Sequence, residues 1–178
     1  MNSFLASLAT LFSRNDKPQI SETSIYDIKI STLKGQPIKL SQFKGKYILF
    51  VNVASKCGFT PQYKNLQELH TKYKDKLQVI GLPCNQFGNQ EPEKLSVIES
   101  FCEINYGVNF LITEKIDVKG NNKHQLYSWL TQKINNRQFD SSVKWNFQKY
   151  LVDTNGNLID YYFSITNPLS SKITKHLK

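Results

Sequence analysis

The sequence predicts an α/β fold in which a central mixed sheet is flanked by helices. Three observations predict it. Two apolar runs, residues 47–53 and 77–82, are separated by a segment of helical periodicity, which reads as strand, helix, strand with parallel pairing and a right-handed crossover. Asn155-Gly156 stands between two further apolar runs, a strong signal for a tight hairpin turn. Near the other end, Lys34-Gly35-Gln36-Pro37 is a turn signal with short alternating segments on either side.

The elements follow in order. Residues 1–21 read as an N-terminal arm or short targeting or amphipathic segment, and residues 22–178 as one folded domain. The apolar run from Phe4 to Phe12 lacks a preceding basic residue and a following Ala-x-Ala site, so a secretory signal is not expected. Residues 25–30 alternate as a strand with one wet face, and residues 38–40 pair back on it. Residues 47–53 are apolar except for Asn52 and form the central, buried strand. Thr60 is expected to cap a helix that has Pro61 at its first position. Leu66, Leu69, His70 and Tyr73 continue that helix at its period, with His70 as a packed residue.

After the second strand comes Pro83-Cys-Asn-Gln-Phe-Gly-Asn-Gln-Glu-Pro92, an amide-rich loop. Residues 93–105 form a helix ended by Gly107. Residues 124–134 form another, inserted between the halves, and residues 169–177 a closing helix. Lys144-Trp-Asn-Phe147 opens the hairpin at 150–152 and 158–162. This order of elements is that of a thioredoxin-like fold with an added N-terminal hairpin and an inserted helix.

Composition narrows the function. Hydrophobic residues make up 39% of the chain and aromatic residues 12%, enough for a packed core. The formal net charge of +9 attracts anionic membrane surfaces or an acidic protein, but the basic residues form no block, so no nucleic-acid partner is expected. Three cysteines, Cys57, Cys84 and Cys102, are too few for a secreted disulfide framework and fit a reducing compartment, the cytoplasm. No apolar run reaches the roughly 18 residues of a membrane span.

Cys57 falls between strand end and helix start. Free backbone N–H groups and a helix dipole favour a thiolate there, and the neighbouring Lys56 pushes the same way. The alternative is a buried, inert thiol. A dithiol site would need Cys-x-x-Cys, but the fourth position is Thr60. A peroxiredoxin-like site would have a Thr three residues before the cysteine, and Ala54 stands there. Cys57 and the 83–92 loop leave the same edge of the parallel strands, where binding sites gather.

Three motifs then stand together: Asn52-Val-Ala-Ser-Lys-Cys-Gly-Phe-Thr60, Leu82-Pro-Cys-Asn-Gln-Phe-Gly-Asn-Gln-Glu-Pro92 and Lys144-Trp-Asn-Phe147. They resemble the glutathione peroxidase family over roughly residues 22–177. The resemblance implies a cysteine-type thiol peroxidase. In it Cys57 is oxidised by hydrogen peroxide or by organic, including lipid, hydroperoxides, with Gln90, Trp145 and Asn146 around the sulfur. It implies no cofactor and no metal.

Two departures from the glutathione-using members place the chain nearer the monomeric, thioredoxin-dependent branch. Lys64 is the only basic residue in the first half of the helix after Cys57. The long loop of the tetrameric members is also missing, since only residues 135–143 precede Lys144. The resemblance implies Cys102 as the resolving cysteine and thioredoxin, with glutathione as the other candidate, as the reductant. Cys84 is expected to be structural. A different class stays open: a peroxide sensor or redox-relay protein that passes the oxidation of Cys57 to a partner.

Overall fold

The computed structural model describes residues 23–178. The expected arm at 1–21 lies outside the described residues. A five-stranded sheet runs in the order β5 (Leu111–Ile112), β4 (Leu77–Pro83), β3 (Tyr47–Val53), β6 (Lys149–Val152), β7 (Leu158–Tyr162). β3 pairs in parallel with β4 and antiparallel with β6, so it occupies the middle, as its almost unbroken apolar character requires. β1 (Lys29–Ser31) and β2 (Pro37–Lys39) form the separate N-terminal hairpin. This is the thioredoxin-like order of strands with the predicted additions.

Alternate residues of the strands feed two cores, one on each sheet face. Leu49, Val51, Val53, Val79 and Leu151 pack with Leu66 and Leu69 of α1 (Gln62–Lys72) and Ile98 of α2 (Leu95–Tyr106). Ile48, Phe50, Ile80, Leu82, Tyr150 and Val152 pack with the N-terminal hairpin and with Leu126 and Leu130 of α3 (Gln125–Thr131). At about 25 cal/mol per Å² of apolar surface, both faces contribute to stability, and neither can be exposed without loss of the other.

Four local expectations are corrected. Residues 25–27 form a 3-10 turn, with Ser24 accepting the Tyr26 N–H, and the strand is confined to Lys29–Ser31. The predicted helix at 124–134 breaks at Gln132, whose backbone is extended; one more turn, α4 (Lys133–Asn136), follows and ends on Arg137 in the left-handed region. The closing helix shrinks to α5 (Ser171–Thr174) and a 3-10 turn at Lys175–Leu177. The connection between β6 and β7 is longer than a tight two-residue turn. Asp153 organises it, its carboxylate accepting the Asn155 and Asn157 N–H groups at 2.9 and 2.8 Å, while the Gly156 N–H donates to its carbonyl.

Gly156 has φ +88°, and a methyl there would stand 2.7 Å from the Tyr26 ring. Gly156→Ala is therefore expected to cost about 1–3 kcal/mol, from backbone strain and from displacement of the 3-10 turn. Urea denaturation at unchanged m-value checks this, and an unshifted midpoint would contradict it.

Candidate active site

The site is assembled where β3 and β4 end. Cys57 lies in the loop between β3 and α1, 7% exposed. That loop is closed by Thr60, which is not the helix cap expected. The Thr60 hydroxyl accepts the Cys57 N–H at 3.0 Å and donates to the Ala54 carbonyl at 2.8 Å. The helix starts only at Gln62, with Pro61 as the capping residue. Capping by Thr60 loses because its hydroxyl has closer partners inside the loop. The N–H that reaches the sulfur belongs to Phe59, at 3.4 Å. Lys56 does not lean on the sulfur either. Its ammonium is drawn to Glu93 at 2.6 Å, a mostly solvent-exposed ion pair that holds the charge on the neighbouring loop.

The 83–92 loop comes back to Cys57 through its backbone. The Lys56 N–H donates to the Gln90 carbonyl at 3.0 Å, and the Ser55 hydroxyl donates to Glu91 Oε2 at 3.1 Å. Glu91 is fully buried, and burial raises its pKa above the usual carboxylate range. Gln90 Oε1 accepts a hydrogen bond from Asn146 Nδ2 at 3.0 Å. The predicted residues Gln90 and Asn146 are therefore in direct contact, and Gln90 is bonded through its backbone to the residue before Cys57. Trp145 follows differently: its ring is 39% exposed and leans on Phe87, with centroids 5.6 Å apart.

Several residues that hold this arrangement are not among the candidate site residues. Asn52, the one polar residue of β3, is fully buried. Its side chain donates to the Trp145 carbonyl at 3.1 Å and accepts the Gln148 N–H at 3.1 Å, while its carbonyl accepts the Phe147 N–H at 2.6 Å. Phe147 is held at φ +63°, uncommon for a residue with a side chain, with its ring edge-on to Tyr63. An isolated amide in an apolar strand was the signal for this clamp, since a buried amide must find partners. Ser164 and Lys149 also support Asn146, and nothing local in the sequence marks them.

The expected resolving residue, Cys102, lies on the inner face of α2, buried and unbonded to another cysteine. Burial pushes its thiol up to about 11, opposed by the Tyr63 hydroxyl beside it. That hydroxyl lies near the sulfur without reaching proper hydrogen-bond geometry. A cavity of about 470 Å³ opens beside Cys102, lined also by Glu99, Glu103 and Phe110. Burial therefore disfavours the Cys102 thiolate in the folded protein, although open space lies beside it. Cys84 is fully buried and its thiol is also raised by burial, with Gln86 Oε1 at 3.8 Å. No group of three or more His, Cys, Asp or Glu side chains among the described residues is placed to hold a metal ion.

Over residues 25–131 the sequence matches the glutathione peroxidase family. The chain belongs to that family. It is 51% identical over 150 residues to glutathione peroxidase-like peroxiredoxin 2 of Saccharomyces cerevisiae, spanning 83% of this chain and 92% of that one. It is 43% identical over 154 residues to hydroperoxy fatty acid reductase gpx1 of Synechocystis, spanning 83% of this chain and 91% of the other. The crystal structure of Trgpx in apo form has a TM-score of 0.68 to it at 38% identity, with 88% of this chain and 97% of that one covered. As a glutathione peroxidase with cysteine at position 57, the protein is a thiol peroxidase acting on hydroperoxides. The matched span contains Cys57, Gln90 and Cys102; Trp145 and Asn146 lie beyond it and join the site through the contacts above.

The raised thiol pKa values of Cys84 and Cys102 predict that neither is alkylated by iodoacetamide in the native protein at pH 8, because alkylation needs the thiolate. Both should label fully after denaturation. Peptide mapping by mass spectrometry reads the result, and native labelling of Cys102 at a rate near that of a free thiol would contradict it.

Proposed function

We propose that Cys57 is the peroxide-reducing thiolate, that Gln90, Trp145 and Asn146 are its hydrogen-bond donors, and that Cys102 resolves the oxidised form. The thiolate sulfur attacks one peroxide oxygen. The oxygen–oxygen bond breaks, the second oxygen takes a proton and leaves as water or alcohol, and Cys57 becomes a sulfenic acid. Cys102 then attacks the Cys57 sulfur, the hydroxyl leaves as water, and a disulfide forms. A dithiol reductant returns both cysteines to thiols.

The observation that carries this reading is the Asn146–Gln90 hydrogen bond at 3.0 Å beside the Lys56–Gln90 backbone bond, which ties the two amides to the Cys57 loop. Amides and an indole N–H suit the chemistry because they stabilise developing negative charge without neutralising the nucleophile. Two features support thioredoxin as the reductant: Lys64 as the only basic residue in the first half of the helix after Cys57, and the short 135–143 segment. A relative named as a hydroperoxy fatty acid reductase supports lipid hydroperoxides among the substrates. The reading has a monomer at work in the cytoplasm, with its net charge of +9 favouring approach to anionic membrane surfaces. A redox-relay role is the second reading. It is favoured by the burial of Cys102, which raises its thiol pKa and disfavours the thiolate that would resolve a sulfenic acid at Cys57.

Peroxide consumption with thioredoxin and its reductase, against glutathione and its reductase, separates the readings. Cys57→Ser is expected to abolish consumption with either, and retained turnover would reject the assignment. Asn146→Ala is expected to slow Cys57 oxidation about a hundredfold, in line with about 3 kcal/mol for one lost donor. Cys102→Ser should keep the first oxidation and lose thioredoxin-driven turnover; an unchanged steady-state rate would remove Cys102 from the cycle.

A further inference from the structure

Lys149 is a lysine where the fold calls for an apolar residue. It sits in the antiparallel ladder of β6, opposite Val51 on one side and Tyr162 on the other, and it is fully buried. Among the described residues no carboxylate pairs with it: the ion pairs there belong to Lys34 and Lys56. Its ammonium is met by neutral oxygens alone. Gln62 Oε1, in the first turn of α1, lies at 2.5 Å, the Thr166 carbonyl at 2.7 Å and the Ser164 carbonyl at 3.2 Å. Three donors thus have three acceptors, so the charge is buried but every proton is placed. Burial alone pushes the amine down to about 7, a bias that these three bonds oppose.

The acceptors are the informative part. Gln62 also gives its amide N–H to the Ser164 carbonyl at 2.6 Å, so two side chains converge on that one oxygen. The Ser164 hydroxyl in turn donates to the Asn146 carbonyl at 2.5 Å. Asn146 then donates to Gln90. Hydrogen bonds therefore link the buried ammonium to the Ser164 carbonyl, the Ser164 hydroxyl to the Asn146 backbone carbonyl and the Asn146 side chain to Gln90, and a branch reaches the first turn of the helix that follows Cys57. A buried cation costs more here than an apolar side chain would, and what it adds is the fixed geometry of its three acceptors.

We propose that Lys149 is a positioning residue for peroxide reduction, holding Ser164 so that Asn146 and Gln90 keep their places beside Cys57. It does not touch substrate. Its effect belongs to the step that needs those donors, not to the availability of the thiolate, and this separates it from a residue that only supports the fold. The inference rests on the reading of Asn146 and Gln90 given above.

Two rates on reduced protein test it: Cys57 oxidation by hydrogen peroxide in a single turnover, and Cys57 alkylation by iodoacetamide, which needs the thiolate but no donor for a leaving oxygen. Lys149→Met keeps the stem and removes the ammonium. It is expected to slow oxidation at least tenfold while alkylation stays within twofold of the unmodified protein. Ser164→Ala, which deletes only the hydroxyl in the chain, should do the same and keeps the test decisive if Lys149→Met does not fold. The double variant should be no slower than the slower single one, because both cut one chain. Oxidation within twofold of normal in either single variant overturns the proposal, as does an equal fall in both rates or multiplication of the two effects. If Asn146→Ala is slow and Lys149→Met is not, the inference alone falls. If Asn146→Ala itself oxidises normally, the reading of the site falls with it.

Discussion

The candidate site depends on a single polar clamp at the end of the central strand. Asn52 is the one residue of β3 that cannot be satisfied by packing, and its amide finds the Trp145 carbonyl and the Gln148 N–H across the ladder. Those bonds force residues 145–148 into a bend, with Phe147 in a backbone conformation it would not choose. At the bend Trp145 is partly exposed against Phe87, while Asn146 is fully buried and meets Gln90. A buried amide left unpaired costs about 1–3 kcal/mol, enough to decide between two local backbone paths.

Charge is kept away from the sulfur. Lys56, next to Cys57 in sequence, is drawn to Glu93. Lys149, the one buried lysine or arginine among the described residues, spends its protons on a side-chain amide and two backbone carbonyls. Around the loop stand the Gln90–Asn146 amide pair, the Phe59 N–H on the sulfur and the buried Glu91 carboxyl on Ser55, with Trp145 against Phe87. This division has a physical logic. A nearby cation would lower the thiol pKa but also the nucleophilicity of the thiolate, whereas neutral dipoles stabilise the charge that develops on the departing oxygen. Belonging to the glutathione peroxidase family, the chain needs both a stable thiolate and a willing one.

Cys57 and Cys102 occupy the same core, on α1's loop and α2's inner face, yet both remain free. A disulfide requires sulfurs about 2 Å apart and Cα atoms within about 7 Å, a geometry that two packed elements do not offer without local opening. The helix that carries Cys102, α2, has a cavity beside that residue and a glycine stop, Gly107, directly after it.

Much of this protein is legible in its residues taken in order. The apolar run at 47–53, the strand–helix–strand spacing and the three motifs determine the sheet, the family and the position of the reactive sulfur, because each depends on local propensity or on short spacing. The tertiary structure decided the rest. It placed Thr60 inside the Cys57 loop and not at the helix cap, since a hydroxyl takes whichever donor and acceptor the fold brings closest. It sent the Lys56 charge to Glu93, 37 residues away in the chain. It turned Asn52, Ser164 and Lys149 into the frame of the site, through hydrogen bonds that span 93, 18 and up to 87 residues. Such bonds leave no periodicity and no motif, because a buried polar group is satisfied by position in space, and position in space belongs to the whole chain.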